Sequence, residues 1–167
     1  MASLEVLAQI EAVLLWGFIA TAVMTTILSG SQGLGLSRLS LPFLFGTFIS
    51  ANRSRATVVG FGLYLLGGWL FAFLYFLVFA WLAVGTWWLG LLLGVVHGLF
   101  LLVVFLTVLP YIHPRMATEF DGPGGERRLE PPGFMGLNYG RRTPLTTLLG
   151  QAVYGTILGA AVQFGDW

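Results

Sequence analysis

Residues 56–83 read ATVVGFGLYLLGGWLFAFLYFLVFAWLA, and after only Val84-Gly85-Thr86, residues 87–109 read WWLGLLLGVVHGLFLLVVFLTVL. Neither stretch holds an Asp, Glu, Lys or Arg. A helix that crosses the hydrocarbon of a bilayer needs about 20 mostly apolar residues, and both stretches exceed that. A three-residue link leaves no room for a crossover, so the two must form an antiparallel helical hairpin.

Working outward, Ala12 to Ser29 and Thr143 to Phe164 are also long and apolar enough to span. The expected fold is all-α: a polytopic membrane protein whose residues 1–167 form one four-transmembrane-helix bundle. The spans are placed at about 12–29, 56–83, 87–109 and 143–164. Composition agrees, with 57% hydrophobic and 9% charged residues, against about 25% charged in soluble domains. Only in an apolar solvent is such a surface tolerable. Met1 to Glu11 holds two Glu and no Arg, so the first stretch lacks the basic flank of a cleavable signal and is kept as a helix. Pro110 and Pro114 are expected to end the third helix. Pro144 falls in the tolerated first turn of the fourth.

Two connections are long, at about 30–55 and 110–142. Leu39 to Ile49 (LSLPFLFGTFI) is apolar but too short to span. It reads as a short interfacial or re-entrant helix between helices one and two, with Ser40 as N-cap and Pro42 in the first turn. The alternative is a loop on the membrane surface. In the second connection, residues 121–128 (DGPGGERR) read as flexible and solvated. Glu119, Asp121, Glu126 and Glu130 sit there among arginines and read as a solvated, partly self-neutralising segment. Residues 131–140 (PPGFMGLNYG) turn apolar again and are expected to dock on the bundle.

All eight basic residues are arginines, and all lie in these two connections: Arg38, Arg53 and Arg55, then Arg115, Arg127, Arg128, Arg141 and Arg142. The positive-inside rule puts both loops in the cytoplasm and both termini outside. Trp81, Trp87, Trp88 and Trp167 then form an aromatic belt at the opposite interface.

Each span carries small or polar residues four apart, and so on one helix face. They are Gly17, Thr21, Thr25 and Ser29; Gly60, Tyr64, Gly68 and Ala72; Gly90, Gly94 and Gly98; and Thr147, Gln151, Gly155, Gly159 and Gln163. Such ridges let helix backbones approach closely in lipid. His97 is the one titratable imidazole at depth, near the midplane. Gln151, Tyr154 and Thr25 are its expected partners in a polar intramembrane cluster. It is a packing residue that makes interhelical hydrogen bonds, a ligand- or cofactor-binding residue, or a proton-handling residue. His113, Arg115, Arg141 and Arg142 could form a basic collar for anionic lipid headgroups.

Catalytic chemistry finds no support. Cysteine is absent, which removes disulfides and Cys-ligated metals. Gly30-Ser-Gln-Gly-Leu-Gly has no lysine after it and follows a span, unlike a phosphate loop. A net charge of +1 gives no electrostatic case for nucleic acid. No metal site is expected. Haem ligation by His97 and His113 within one chain fails on distance, since sixteen helical residues separate them by about 24 Å. Two copies of His97 across a homodimer, or a pigment, remain open.

The motifs Ala20-Thr-Ala-Val-Met-Thr, Leu36-Ser-Arg-Leu-Ser-Leu-Pro-Phe-Leu-Phe-Gly-Thr, Val96-His-Gly and residues 143–159 (TPLTTLLGQAVYGTILG) touch most of the chain. In these it resembles a group of uncharacterised small bacterial four-helix membrane proteins. The resemblance implies a bacterial cytoplasmic (inner) membrane location and no particular activity. In that group the position of Gln151 is often a histidine, so this chain departs where a paired-histidine site could form.

Three functions compete. The first is a non-enzymatic accessory or structural subunit of a membrane complex, with lipids and other membrane subunits as partners. The second is a small homo-oligomeric transporter or channel for a neutral solute, lined by Thr21, Thr25, His97, Gln151 and Gln163. The third is a lipid-, haem- or pigment-binding membrane protein.

Overall fold

The computed structural model describes residues 2–118 and 128–165, with side chains from residue 9 onward. The chain is 80% helical, and no strand occurs among the described residues. Its helices are α1 (Ala2–Gly33), α2 (Leu41–Ile49), α3 (Arg53–Leu82), α4 (Trp87–Phe100), α5 (Leu106–Ile112) and α6 (Thr143–Phe164). A π-helical turn, Leu101–Phe105, joins α4 to α5 in one continuous rod. Among the described residues, four segments are long and apolar enough to cross a membrane: Gln9–Gly33, Arg53–Leu82, Trp87–Ile112 and Thr143–Phe164. Glu119, residues 121–127 of the expected solvated segment 121–128, and Trp167 lie outside the described residues.

Several boundaries differ from the sequence reading: α1 runs on past Ser29 to Gly33, and α3 begins at Arg53, so that Arg53 and Arg55 stand on it. The first helix starts at Ala2, so Glu11 stands on it, exposed, within the first apolar segment instead of just before it. Hydropathy marks where a helix meets lipid, whereas the backbone ladder can continue into water. The third helix does not stop at Pro110. That residue lies inside α5, and the last turn closes through the His113 N–H donating to the Leu109 carbonyl at 2.9 Å. A proline removes one donor, which need not end a packed helix. Pro114 does end it, because the residue before a proline is pushed out of the helical region. His113 accordingly sits at φ −85°, ψ 118°.

α2 begins where its cap residues require. The Phe43 N–H donates to Ser40 Oγ at 3.4 Å, and a proline occupies the first turn. Asn52 caps α3 through the Arg55 N–H at 3.1 Å. A Cβ at Gly46 would run into the Ala56 backbone, and one at Gly60 into the Pro42 carbonyl. α2 therefore folds back antiparallel along the first turns of α3. Its Leu41 end points into the bundle, while Ile49 is exposed.

The four ridges pair two by two. Gly17 and Thr21 of α1 meet Ala72 and Gly68 of α3. Gly90 and Gly94 of α4 meet Gly155, Gly159 and the Gln151 backbone of α6. α6 also packs on α1, where Gly150 faces Met24 and Leu28. The hairpin partners α3 and α4 are joined by side chains across a wider gap. Ala83, in the left-handed region at φ 52°, and Thr86, which accepts from the Leu89 N–H at 3.4 Å, shape their link. At the other end, Phe134–Tyr139, two 3-10 pieces kinked through left-handed Met135 and Gly136, docks: the Arg38 N–H donates to the Tyr139 carbonyl, and Ser37 Oγ lies 2.9 Å from Thr143 Oγ1.

Candidate functional site

The gap between α3 and α4 is closed by aromatic rings around His97. Phe71 stacks on the imidazole, with centroids 3.9 Å apart and planes inclined by 29°. The Tyr75 hydroxyl lies 3.4 Å from His97 Nδ1, a long contact for a hydrogen bond. Tyr154 reaches from α6, edge-on to both Tyr75 and His97. Its hydroxyl donates to the Gly68 carbonyl of α3 at 2.6 Å. Toward the arginine-bearing end, Leu41 and Phe45 of α2 complete the wall, with Phe45 against Tyr64 and Phe105.

Between these groups lies a small, partly open cavity of about 60 Å³ lined by His97, Gln151, Tyr64, Tyr154, Gly68 and Phe71 among others. Among the described residues, three buried side-chain atoms have no hydrogen-bond partner: His97 Nε2, Gln151 Oε1 and Thr147 Oγ1. Thr147 and Gln151 share one face of α6, and of the three residues His97 and Gln151 line the cavity. A buried polar atom left unpaired costs roughly 1–3 kcal/mol. The π turn begins four residues after His97, and such turns recur at functional sites.

A second polar cluster fastens α2 to the end of α5. The Arg115 guanidinium donates from Nη1 to the Thr47 and Phe48 carbonyls, at 2.6 and 2.9 Å. These are C-terminal carbonyls of α2, which lack partners within the helix and carry its negative dipole end. The Arg115 N–H donates to His113 Nδ1 at 3.1 Å. That nitrogen is therefore the acceptor, and Nε2–H faces the Leu44 carbonyl and Thr47 Oγ1, at 3.2 and 3.1 Å. Burial, opposed by the hydrogen bond to Leu44 and reinforced by the Arg115 charge, holds the imidazole below the usual histidine range. Nearby, burial pushes the Tyr139 hydroxyl up to about 12, with Glu130 adding and Arg38 opposing, so it stays a donor to the Glu130 carbonyl at 2.6 Å.

The structure thus brings His97, Gln151 and Tyr154 to one cavity. Thr25 faces a neighbouring space of about 220 Å³ beside Ser40 and Tyr64, and its hydroxyl donates back to the Thr21 carbonyl at 2.6 Å. His113 is buried and Arg115 is engaged with α2, while Arg141 and Arg142 are exposed. Among the described residues no group of three metal-binding side chains occurs. Sequence reasoning did not single out Phe71, Tyr75 and Thr47. Tyr75 continues the buried face of α3 through Tyr64, Gly68 and Ala72, a 4-4-3 spacing that could have marked it. Nothing in the local sequence ties Thr47 to His113. Comparison with protein-family models, with curated proteins and with solved structures gives no match.

Proposed function

We propose that the chain is a non-enzymatic accessory or structural subunit of a membrane complex. The observation that carries this reading is the unequal burial of the spanning helices. In its most apolar window half of α6 is buried within the chain, but only 17% of α3 is. The outward face of α3 carries Val58, Leu66, Leu70 and Leu77, all exposed and apolar. Beside it, between α1 and α3 at the hairpin end, lies an apolar groove of about 460 Å³. In lipid, helices associate by close packing and not by hydrophobic drive, so a broad smooth face with an adjoining groove suits a partner helix.

The other readings have less behind them. Of the five polar residues that could line a solute path, Thr21 and Thr25 donate to their own helix, and Gln163 Oε1 accepts from the Trp87 N–H at 3.0 Å. A haem or pigment would need a pocket of several hundred Å³, against about 60 Å³ at His97. Location in a bacterial inner membrane, with both termini outside, rests on the resemblance and on the arginine asymmetry.

Gentle purification from native membranes tests the proposal. Companion polypeptides in fixed stoichiometry are expected, and Leu66→Trp with Leu70→Trp should release them while the chain stays folded. A chain that elutes alone in mild detergent would sink the subunit reading.

A further inference from the structure

Where α2 ends beside the start of α3, an open groove of about 540 Å³ is lined by Ile49, Ser50, Ser54, Arg55, Val58 and Val59. Its polar and apolar residues are ordered. On α3, Ser54 stands four residues before Val58 and Arg55 four before Val59, so each pair shares a helix face. Both rows run from polar at the helix start to apolar one turn deeper in the span that Arg53 begins. α2 runs the opposite way, with Gly46 packed on Ala56 and Pro42 on Gly60. Ser50 therefore lies further out than Ile49, and this third row has the same order.

The apolar part calls for hydrocarbon. Most of the groove's surface is apolar, and Ile49 and Val58 are 64% and 74% exposed. The outer part calls for an anion. Arg55 is exposed, and among the described residues neither it nor Arg53 has an acidic partner. Arg38, by contrast, lies 3.3 Å from Glu130, and Arg115 is held by the α2 carbonyls. Helical side chains lean toward the helix N-terminus. Arg55 thus leans outward from Val59, as a guanidinium does when its stem lies on hydrocarbon. Ser50 Oγ accepts from the Asn52 N–H at 3.2 Å, which leaves its own O–H to donate. No acidic side chain lines the groove, and a guanidinium fork with hydroxyl donors matches a phosphate.

We propose that this groove binds an anionic phospholipid, with the phosphate at Arg55, Ser54 and Ser50 and an acyl chain along Val58 and Val59. A zwitterionic head would bring its own cation to the same rim and bind less well. The site is separate from the exposed basic pair Arg141 and Arg142. It stands whether or not the chain has companion subunits, because lipid covers the outward face of α3 only at its Val58 end.

The test is native mass spectrometry of the full chain, offered equal amounts of phosphatidylglycerol and phosphatidylcholine with the same acyl chains. The first lipid retained should be phosphatidylglycerol by about fivefold, the roughly 1 kcal/mol of one basic residue near anionic lipid. Arg55→Gln should bring the ratio close to one, and Arg55→Lys should keep most of it. Arg141→Gln removes the same charge outside the groove and should leave the ratio unchanged. A density map in phosphatidylglycerol nanodiscs should show a chain along Val58 and Val59 with its head at Arg55. The proposal is overturned by a wild type without headgroup preference, by a preference that survives Arg55→Gln or falls equally in Arg141→Gln, or by a groove that holds no lipid. The wild-type ratio and map decide even if a variant fails to fold.

Discussion

Glycines in this bundle differ by what surrounds them, and the differences are measurable one residue at a time. A Cβ at Gly155 would strike the Gly90 carbonyl, and backbone on both sides leaves nothing flexible to yield. Gly155→Ala is expected to destabilise the protein by about 1–3 kcal/mol, as overpacking does. Gly62 has nothing within 4 Å of such a carbon. Gly62→Ala should be neutral or stabilising by up to about 1 kcal/mol, because alanine loses less backbone freedom in a helix. Equilibrium unfolding in mixed micelles compares the two. Tyr154→Phe deletes the hydroxyl that binds Gly68 across the bundle. Interhelical hydrogen bonds in membranes average about 0.6 kcal/mol and reach about 1.7. The same titration should show a loss in that range, and no loss would mean the Tyr154–Gly68 bond does not form.

At the scale of elements, α2 is the part held most conditionally. It is 9 residues long, too short to be stable alone. Its C-terminal end is fastened by Arg115 and His113 from the end of α5. The folded imidazole titrates below its ordinary range, chiefly through burial. The folded state therefore binds fewer protons than the unfolded chain as pH falls through about 6.5. Stability is complete above that pH and declines on acidification. Protonation also removes the acceptor that the Arg115 N–H uses and sets a second cation beside Arg115. Between about pH 6.5 and 5, above the carboxylate range, the melting temperature should fall in the wild type. His113→Gln should flatten that slope; an unchanged slope would assign it to other groups. Arg115→Gln should speed hydrogen exchange of the α2 amides while leaving α6 protected.

For the whole molecule, the antiparallel course of the spans collects the described arginine-bearing loops at one end and the α3–α4 link at the other. The native chain contains no cysteine, so single cysteines report sidedness without background. Leu34 and Val84 are exposed at opposite ends. With the arginines inside, an impermeant maleimide should label Val84→Cys in intact cells and Leu34→Cys only after permeabilisation. The reverse pattern would invert the topology, and equal labelling of both would mean dual orientation.

The sequence by itself determined the crossings, the tight turn between the two central spans, the Ser40 cap and the small-residue faces. These are local quantities: apolar length, a cap three residues from its donor, a repeat of four along one helix. Only the tertiary structure decided which face meets which. The four ridges are chemically alike, so nothing local says that Gly17 and Thr21 seek Gly68 and Ala72, or that Gly90 and Gly94 seek Gly155 and Gly159. The same holds for both histidines. The local sequence marked His97 as polar in an apolar span and placed His113 at a helix exit. Phe71 and Tyr75 from one helix and Gln151 from another make the cage of the first. Thr47 and Leu44, far away in the chain, bury the second. Long-range proximity depends on the shapes of surfaces brought together by folding, and no window along the chain contains both.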